Sequence, residues 1–353
     1  MVPVEPLLSM IYLMVLFGSA LVSALLILIL KPLLVRYALA RPNARSSHKI
    51  PTPQGGGIAV IGACLLVTGA ALLTGNALPA SFTVVIVATL MLALVGAVDD
   101  IRPLPAIPRL LLQIAAVTAV VVASDMRVLP ESVPLAVEQA LLVVGGVWFV
   151  NLVNFMDGLD WITVAEMVPV TAFIAPLYFV AVASLPKEAN VSEVMFVAAS
   201  LCGALLGFAP FNKPVARLFL GDVGSLPIGL LVGWMLLQLA GTGALAAALL
   251  LPLYYLMDAT ITLLRRLRRG EKVWEAHRSH FYQKATDNGF SALGVSAHVF
   301  GLNLVLAGLA AMTLIWPSGA VQVAALGAGV VLVGLVLRRF STPRPKIPLE
   351  VSR

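Results

Sequence analysis

The stretch Leu141–Asp160 reads LLVVGGVWFV NLVNFMDGLD, and a second apolar run, Ile162–Ala183, follows it. Two carboxamides and two carboxylates therefore arrive at the mouth of an apolar segment. They are Asn151, Asn154, Asp157 and Asp160, at every third position. In an α-helix each step of three falls about 60° behind the last, so neighbouring pairs share a face but all four cannot point at one spot. That would require the helix to unwind, and Gly158 is the residue where it can. Polar groups at a membrane boundary are costly unless something uses them. This marks Asn151–Asp160 as a candidate site rather than a helix end that merely faces water.

Working outward, the chain has 353 residues, 60% hydrophobic and only 11% charged. A soluble domain carries roughly 25% charge, so this chain belongs in lipid. A bilayer core takes about 20 apolar residues per helix. Eleven candidate spans follow: 7–30, 56–74, 81–97, 107–124, 139–154, 161–183, 194–209, 224–240, 244–263, 292–316 and 319–337. The first is too long for the apolar part of a signal peptide. With the N-terminus outside, 21 of the 23 lysines and arginines fall on the inner side, and only Arg127 and Lys187 lie outside. One miscounted span would invert every later loop, so this asymmetry supports the count and the orientation together. The fold expected is an all-α integral membrane protein of about eleven transmembrane helices. Its N-terminus is periplasmic, its C-terminus is cytoplasmic, and its active site is built from cytoplasmic loops. Residues 1–340 form one polytopic domain and 341–353 a cytoplasmic tail. The two cysteines, Cys64 and Cys202, sit in apolar runs and read as buried small hydrophobes. The net charge of +6 is explained by topology and anion binding, not by nucleic acid.

The unusual polar clusters all fall on the expected inner side. The first loop, His48–Gly57, has two prolines and then Gly55, Gly56 and Gly57, a rigid bend followed by bare backbone that could approach an anion. Lys49 could add a charge there. The third span ends in Asp99-Asp100, a pair suited to general base work or to Mg²⁺, with Arg109 and Gln113 one turn apart on the next helix and able to face it. Asp222 stands between Gly221 and Val223-Gly224. Ser225 is placed to cap the next helix, and Phe219 offers a ring on which a base could stack. The large polar loop holds His277, Arg278, His280 and Lys284, a set better suited to a pyrophosphate than to zinc. His298, alone on an apolar helix, reads as a core histidine. Arg265–Arg269 reads as a positive-inside anchor that meets anionic membrane lipids.

Taken in order, the chain shows Ser47-His48, Pro51-Thr52-Pro53 and Gly55-Gly56-Gly57, then Asp99-Asp100, Arg109 and Gln113. Asn151, Asn154, Asp157-Gly158 and Asp160 follow, then Phe219-Leu220-Gly221-Asp222 with Gly224-Ser225, and lastly His277-Arg278, His280 and Tyr282-Gln283. This ordered set resembles the polyprenyl-phosphate N-acetylhexosamine-1-phosphate transferase family, glycosyltransferase family 4. It is most similar to the bacterial O-antigen and surface-polysaccharide branch, and the resemblance covers nearly the whole chain.

The resemblance implies transfer of a sugar-1-phosphate from a UDP-N-acetylhexosamine to undecaprenyl phosphate at the bacterial inner membrane. UMP leaves, Mg²⁺ or in its place Mn²⁺ is required, and the enzyme is a homodimer. It further implies that Asp99 and Asp100 activate the lipid phosphate or lie near the metal. Asp222 is a metal ligand with Asn154 as its partner. Asn151, Asp157 and Asp160 lie along the nucleotide, and Phe219 lies beside uracil. Lys49, Arg109, His277, Arg278 and His280 surround the phosphates, His280 among the catalytic groups. The chain departs from the family pattern at Trp161, where a small residue is frequent, and at Leu220, where methionine is. It also has His-Arg-Ser-His where the peptidoglycan branch has three consecutive histidines, which argues against a MurNAc-pentapeptide donor. The rival reading is a polytopic transporter of an anionic solute. Carriers place their acids near mid-membrane; here they gather at one face, apart from Glu166 and Asp258, for which a packing or hydrogen-bonding role is expected.

Overall fold

The computed structural model describes residues 4–40, 51–73, 78–182, 191–272 and 277–344. Ser47, His48 and Lys49, and most of the expected tail, lie outside the described residues. The chain is almost wholly helical. In order it forms α1 (Val4–Tyr37), a two-residue hairpin of β1 (Leu39–Ala40) and β2 (Thr52–Pro53), α2 (Gly56–Leu73), α3 (Ala80–Ile101), α4 (Ala106–Ser124) and α5 (Leu135–Met156). Then come α6 (Ile162–Val182), α7 (Val191–Phe208), α8 (Asp222–Gly241), α9 (Leu245–Leu250), α10 (Leu253–Arg268), α11 (Phe281–Asp287), α12 (Ala292–Ile315) and α13 (Gly319–Phe340).

Among the described residues nine helices are long and apolar enough to cross a membrane: α1 to α6, α8, α12 and α13. The chain is thus a multi-pass membrane protein. The segment 194–209 lies on α7, an apolar helix of 18 residues. One of the eleven expected segments differs. The segment 244–263 is not continuous but breaks into α9 and α10 at Leu251-Pro252. Pro252 has no N–H to give and its ring crowds the preceding turn, which favours a break there, although α6 runs on through Pro169 and Pro176. The restart is secured from outside, because the buried Glu166 of α6 accepts Tyr255 N at 3.3 Å and Asn303 Nδ2 of α12 at 2.5 Å.

α8 is the axis of the bundle, with nearly every residue buried. It packs against α3, α5 and α2, while α1, α4 and α13 leave most of their surface to lipid. Without a hydrophobic drive between helices in lipid, small residues let backbones approach. On α7, a Cβ built on Gly203 would lie 2.0 Å from Leu16 O and one on Gly207 2.2 Å from Ala20 O. Ser19 and Ser23 of α1 complete that seam by donating to Ser200 O and Ala204 O. At one end of the bundle the same device brings α2, α3 and α8 together. A Cβ on Gly57 would lie 2.2 Å from Gly224 Cα, and one on Gly96 2.2 Å from Asp222 O.

Candidate functional site

The site is assembled where α3, α5 and α8 meet. Asp100 near the end of α3 takes two backbone N–H groups from the start of α8, Asp222 N at 2.9 Å and Val223 N at 3.1 Å. It therefore caps α8 from another helix. The sequence places Ser225 in that role. In the structure Ser225 lies inside the first turn, and its hydroxyl accepts Asn154 Nδ2 at 2.9 Å. Gly221 precedes the cap with φ +78°, and a Cβ there would fall 2.5 Å from Asp100 Oδ2, so only glycine fits this approach.

Asp99 points elsewhere, since consecutive helical side chains stand about 100° apart. Its carboxylate accepts Leu104 N at 2.6 Å and Arg109 Nη1 at 2.9 Å. The same Arg109 nitrogen lies 3.7 Å from Asp222 Oδ2. Asp222 in turn faces the Asp99 carboxyl and the Asn154 amide. Two carboxylates, Asp99 and Asp222, thus converge on one guanidinium. Gln113 turns away from them, buried, and accepts Asn151 Nδ2 at 2.7 Å.

The stretch Asn151–Asp160 unwinds from 157, around Gly158, between α5 and α6. Its four polar residues diverge. Asn151 reaches α4, Asn154 reaches α8, and Asp157 Oδ1 accepts the Thr163 hydroxyl. Asp160 is buried and accepts Ala216 N at 3.0 Å, fixing the segment before Phe219. Trp161 follows with φ +65°; its N–H goes to Asn212 Oδ1 and its indole to Ala209 O. A large side chain here therefore fastens the 209–218 loop.

Burial raises the Asp157 carboxyl from 3.8 to about 7; Asp100 and Asp160 add to the shift and the Thr163 hydroxyl opposes it. Between those two values the folded protein keeps a proton that the unfolded chain gives up, so stability falls as pH rises through the window. Asp157→Asn cannot titrate. Its thermal midpoint should vary less than that of the wild type between about pH 5 and pH 8. Parallel curves for the two proteins would contradict this.

The glycine-rich loop does not present bare amides. Gly56 N donates to Phe219 O at 2.9 Å and Gly57 N to Leu220 O at 2.8 Å. These glycines serve close packing, and that is the correction to their expected anion-facing role. Phe219 is held through its backbone by Pro53 O and by a bridge to Gln54, whose side chain donates to Asp100 O at 2.7 Å.

The histidine loop docks on the other side of the unwound turn. Tyr282 OH donates to Phe155 O at 3.1 Å, and a Cβ on Gly158 would strike that hydroxyl at 2.2 Å. His277 stacks on His280 at 4.9 Å between ring centres. Arg278 is turned along its own loop, bonded to Thr286 Oγ1 and Asp287. Gln54, Gly96, Thr163 and Tyr282 also join the site; Gln54 and Tyr282 lie within the polar motifs, whereas Gly96 and Thr163 lie in apolar runs with no signal of their own.

The fold is an all-helical membrane bundle that carries a cluster of carboxylates, amides and one arginine at one end, the place of a candidate site in a polytopic membrane protein. The comparisons agree. The glycosyl transferase family 4 profile matches residues 82–240. The chain is 30% identical over 288 residues to the decaprenyl-phosphate N-acetylglucosaminephosphotransferase of Mycolicibacterium smegmatis, covering 72% of this chain and 70% of that one. It is 28% identical over 288 residues to the enzyme of that name from Mycobacterium tuberculosis (72% and 70% covered). It is 26% identical over 289 residues to a probable undecaprenyl-phosphate N-acetylglucosaminyl 1-phosphate transferase of Bacillus subtilis (76% and 77% covered). The chain belongs to glycosyl transferase family 4, the polyprenyl-phosphate N-acetylhexosamine-1-phosphate transferases.

Proposed function

We propose that this protein transfers an N-acetylhexosamine-1-phosphate from a UDP-sugar to undecaprenyl phosphate, releases UMP, and so begins a lipid-linked polysaccharide of the O-antigen type. In this reading it lies in the bacterial inner membrane with its N-terminus periplasmic and its site cytoplasmic. The observation that carries it is the meeting of Asp99, Asp222, Asn154 and Arg109 at the end of membrane helices. There a soluble nucleotide and a lipid phosphate can meet. An apolar cavity of about 290 Å³, lined by Val117, Trp148, Phe149, Gly233, Trp234 and Leu256, begins one turn from Asn151 and offers room for part of an isoprenoid chain.

Phosphoryl transfer needs alignment and charge neutralisation more than covalent help. Hard oxygen donors massed around a single cation fit Mg²⁺, or Mn²⁺ in its place. Among the described residues no three His, Cys, Asp or Glu form a ready metal cage. Mg²⁺ takes one or two carboxylates and completes its shell with water and substrate phosphate. Asp222 and Asn154 would hold it, and the bound ion would offset the charge of the diphosphate. Both Asp100 oxygens are held by the α8 backbone, whereas Asp99 has one oxygen on Leu104 N and the other on Arg109, a cation that phosphate oxygens can share; Asp99 is therefore the carboxylate assigned to meet the acceptor phosphate, as base or as nucleophile. Arg109 balances the acids and meets phosphate oxygens. Asp157 and Phe219 border the nucleotide, while Asp160, with both its oxygen and its neighbours fastened to the 209–218 loop, shapes that side. The transporter alternative gains nothing from Glu166 and Asp258, which are both engaged in hydrogen bonds.

The test is direct. Purified protein with Mg²⁺, undecaprenyl phosphate and radiolabelled UDP-GlcNAc, UDP-FucNAc or UDP-QuiNAc should yield a labelled lipid and UMP. EDTA should stop the reaction and added Mg²⁺ restore it. Undiminished turnover in EDTA would overturn the metal assignment, and no lipid product from any of these donors would overturn the transferase reading.

A further inference from the structure

Asp258, on α10 just past the break at Pro252, is fully buried, and its carboxylate collects donors from two elements. Oδ1 accepts Phe281 N at 3.0 Å, His280 Nδ1 at 3.2 Å and Thr262 Oγ1 at 3.3 Å. Oδ2 accepts Tyr282 N and Tyr254 OH, both at 3.2 Å. The first two N–H groups of α11 thus have their partner on a different helix. The segment that ends at His280 is thus pinned to α10 by one side chain.

The histidine is held as firmly as the backbone. His280 is 3% exposed, and its ring lies between His277 and Tyr282, at 4.9 and 5.7 Å. Nδ1 is committed to Asp258. Nε2 is buried and has no hydrogen-bond partner among the described residues. A buried ring nitrogen without a partner is costly, and a ligand that completes it removes the cost. Tyr282 fastens the same loop to Phe155 O, on the turn that carries Asn154 and Asp157.

We propose that Asp258 is a positioning residue for the transfer: it fixes His280 with Nδ1–H turned inward, so that Nε2 is the nitrogen presented to a phosphate oxygen of the donor. The inference rests on the transferase reading. No bond is made or broken by either side chain. A phosphate oxygen can only accept, so Nε2 meets it through an N–H while Nδ1–H stays on the carboxylate.

Asparagine at 258 keeps size and one acceptor, but its NH₂ faces either His280 or a backbone N–H. Kinetics of Asp258→Asn, His280→Gln and the double variant, with Thr262→Ala as a control that removes one donor without touching the histidine, test the proposal. His280→Gln should lower kcat by about 100-fold, as loss of one preorganised charge-stabilising donor does. Asp258→Asn should lower kcat by at least about tenfold, as loss of an outer partner that orients an active group does, with KM for undecaprenyl phosphate unchanged. The double variant should be no worse than His280→Gln alone, within about twofold. Thr262→Ala should keep wild-type kcat. If the two losses multiply in the double variant, or if Asp258→Asn reduces only the yield of folded protein, Asp258 is structural and the proposal fails.

A second readout needs no turnover. The chain has four histidines, so ¹⁵N spectra of histidine-labelled protein can be assigned to His280 by its loss in His280→Gln. Nδ1 should be protonated in the wild type, and the ring should revert to the Nε2–H form in Asp258→Asn. An unchanged spectrum would overturn the proposal even if the wild type formed no product, whereas a changed spectrum with no product would fault the transferase reading alone.

Discussion

Asp222→Asn is expected to reduce transfer to background while leaving the fold intact. The two consequences separate because different atoms of Asp222 do different work. Its backbone N–H is what Asp100 grips, at 2.9 Å, and the substitution leaves that bond alone. Its carboxylate faces Arg109 at 3.7 Å, the Asp99 carboxyl and the Asn154 amide. Asparagine fills the same space without the charge that would hold a cation against a diphosphate. Charge stabilisation of this kind is worth several kcal/mol, and about 1.4 kcal/mol is tenfold in rate. A loss of about 10³-fold or more in product formation is therefore expected, with a thermal midpoint close to that of the wild type. Asp99→Asn should behave in the same direction. Asp100→Asn should differ in kind, because one of its two backbone bonds must be lost and the start of α8 loosens, lowering stability and activity together. Near-normal turnover by folded Asp222→Asn would remove the centre of the proposed site.

Much of this arrangement is legible in the sequence, for physical reasons that differ by element. The membrane spans are legible because about 20 apolar residues in a row have few other uses. Asp99, Asp222, Asn154 and Arg109 are legible because charge and amide groups at span ends need a reason to be there. What stays hidden is packing. Nothing in the adjacent pair Asp99-Asp100 says that one would cap α8 while the other faces Arg109; a 100° turn and the position of a distant helix decide it. Glycine is ambiguous in the same way. Gly55–Gly57 could have faced an anion, and instead Gly57 lets Gly224 approach. Pro252 lies inside an apolar run, and composition alone reads that run as one span. Asp258 and His280 are far apart in sequence, with no local pattern to join them, and only the return of the loop onto α10 brings them within 3.2 Å.

Gly96→Ala should damage the same site without removing any polar group. Gly96 lies on α3 one turn before Asp100. A Cβ there would come 2.2 Å from Asp222 O, 2.3 Å from its carbonyl carbon and 2.5 Å from Val223 N. All three are backbone atoms at the start of a buried helix, so no side-chain rotation relieves the contact. Either α3 or α8 must move, and the bonds from Asp100 to Asp222 N and Val223 N stretch with them. Alanine would gain about 1 kcal/mol of helix propensity over glycine. Overpacking a tight contact costs about 1–3 kcal/mol, more when the obstacle is backbone, so the clash wins. A displacement near 1 Å at a reacting centre can cost about 10²-fold in rate. The expected outcome is a lower thermal midpoint and a loss of that order in product formation, with Asp99, Asp222 and Arg109 all still present. Gly301→Ala on α12 is the matched control, since nothing lies within 4 Å of a Cβ there; it should keep wild-type activity, with a thermal midpoint no lower than that of the wild type. Wild-type activity and stability in Gly96→Ala would mean that the α3–α8 contact is looser than the structure shows, and that the grip of Asp100 on α8 does not set the position of Asp222.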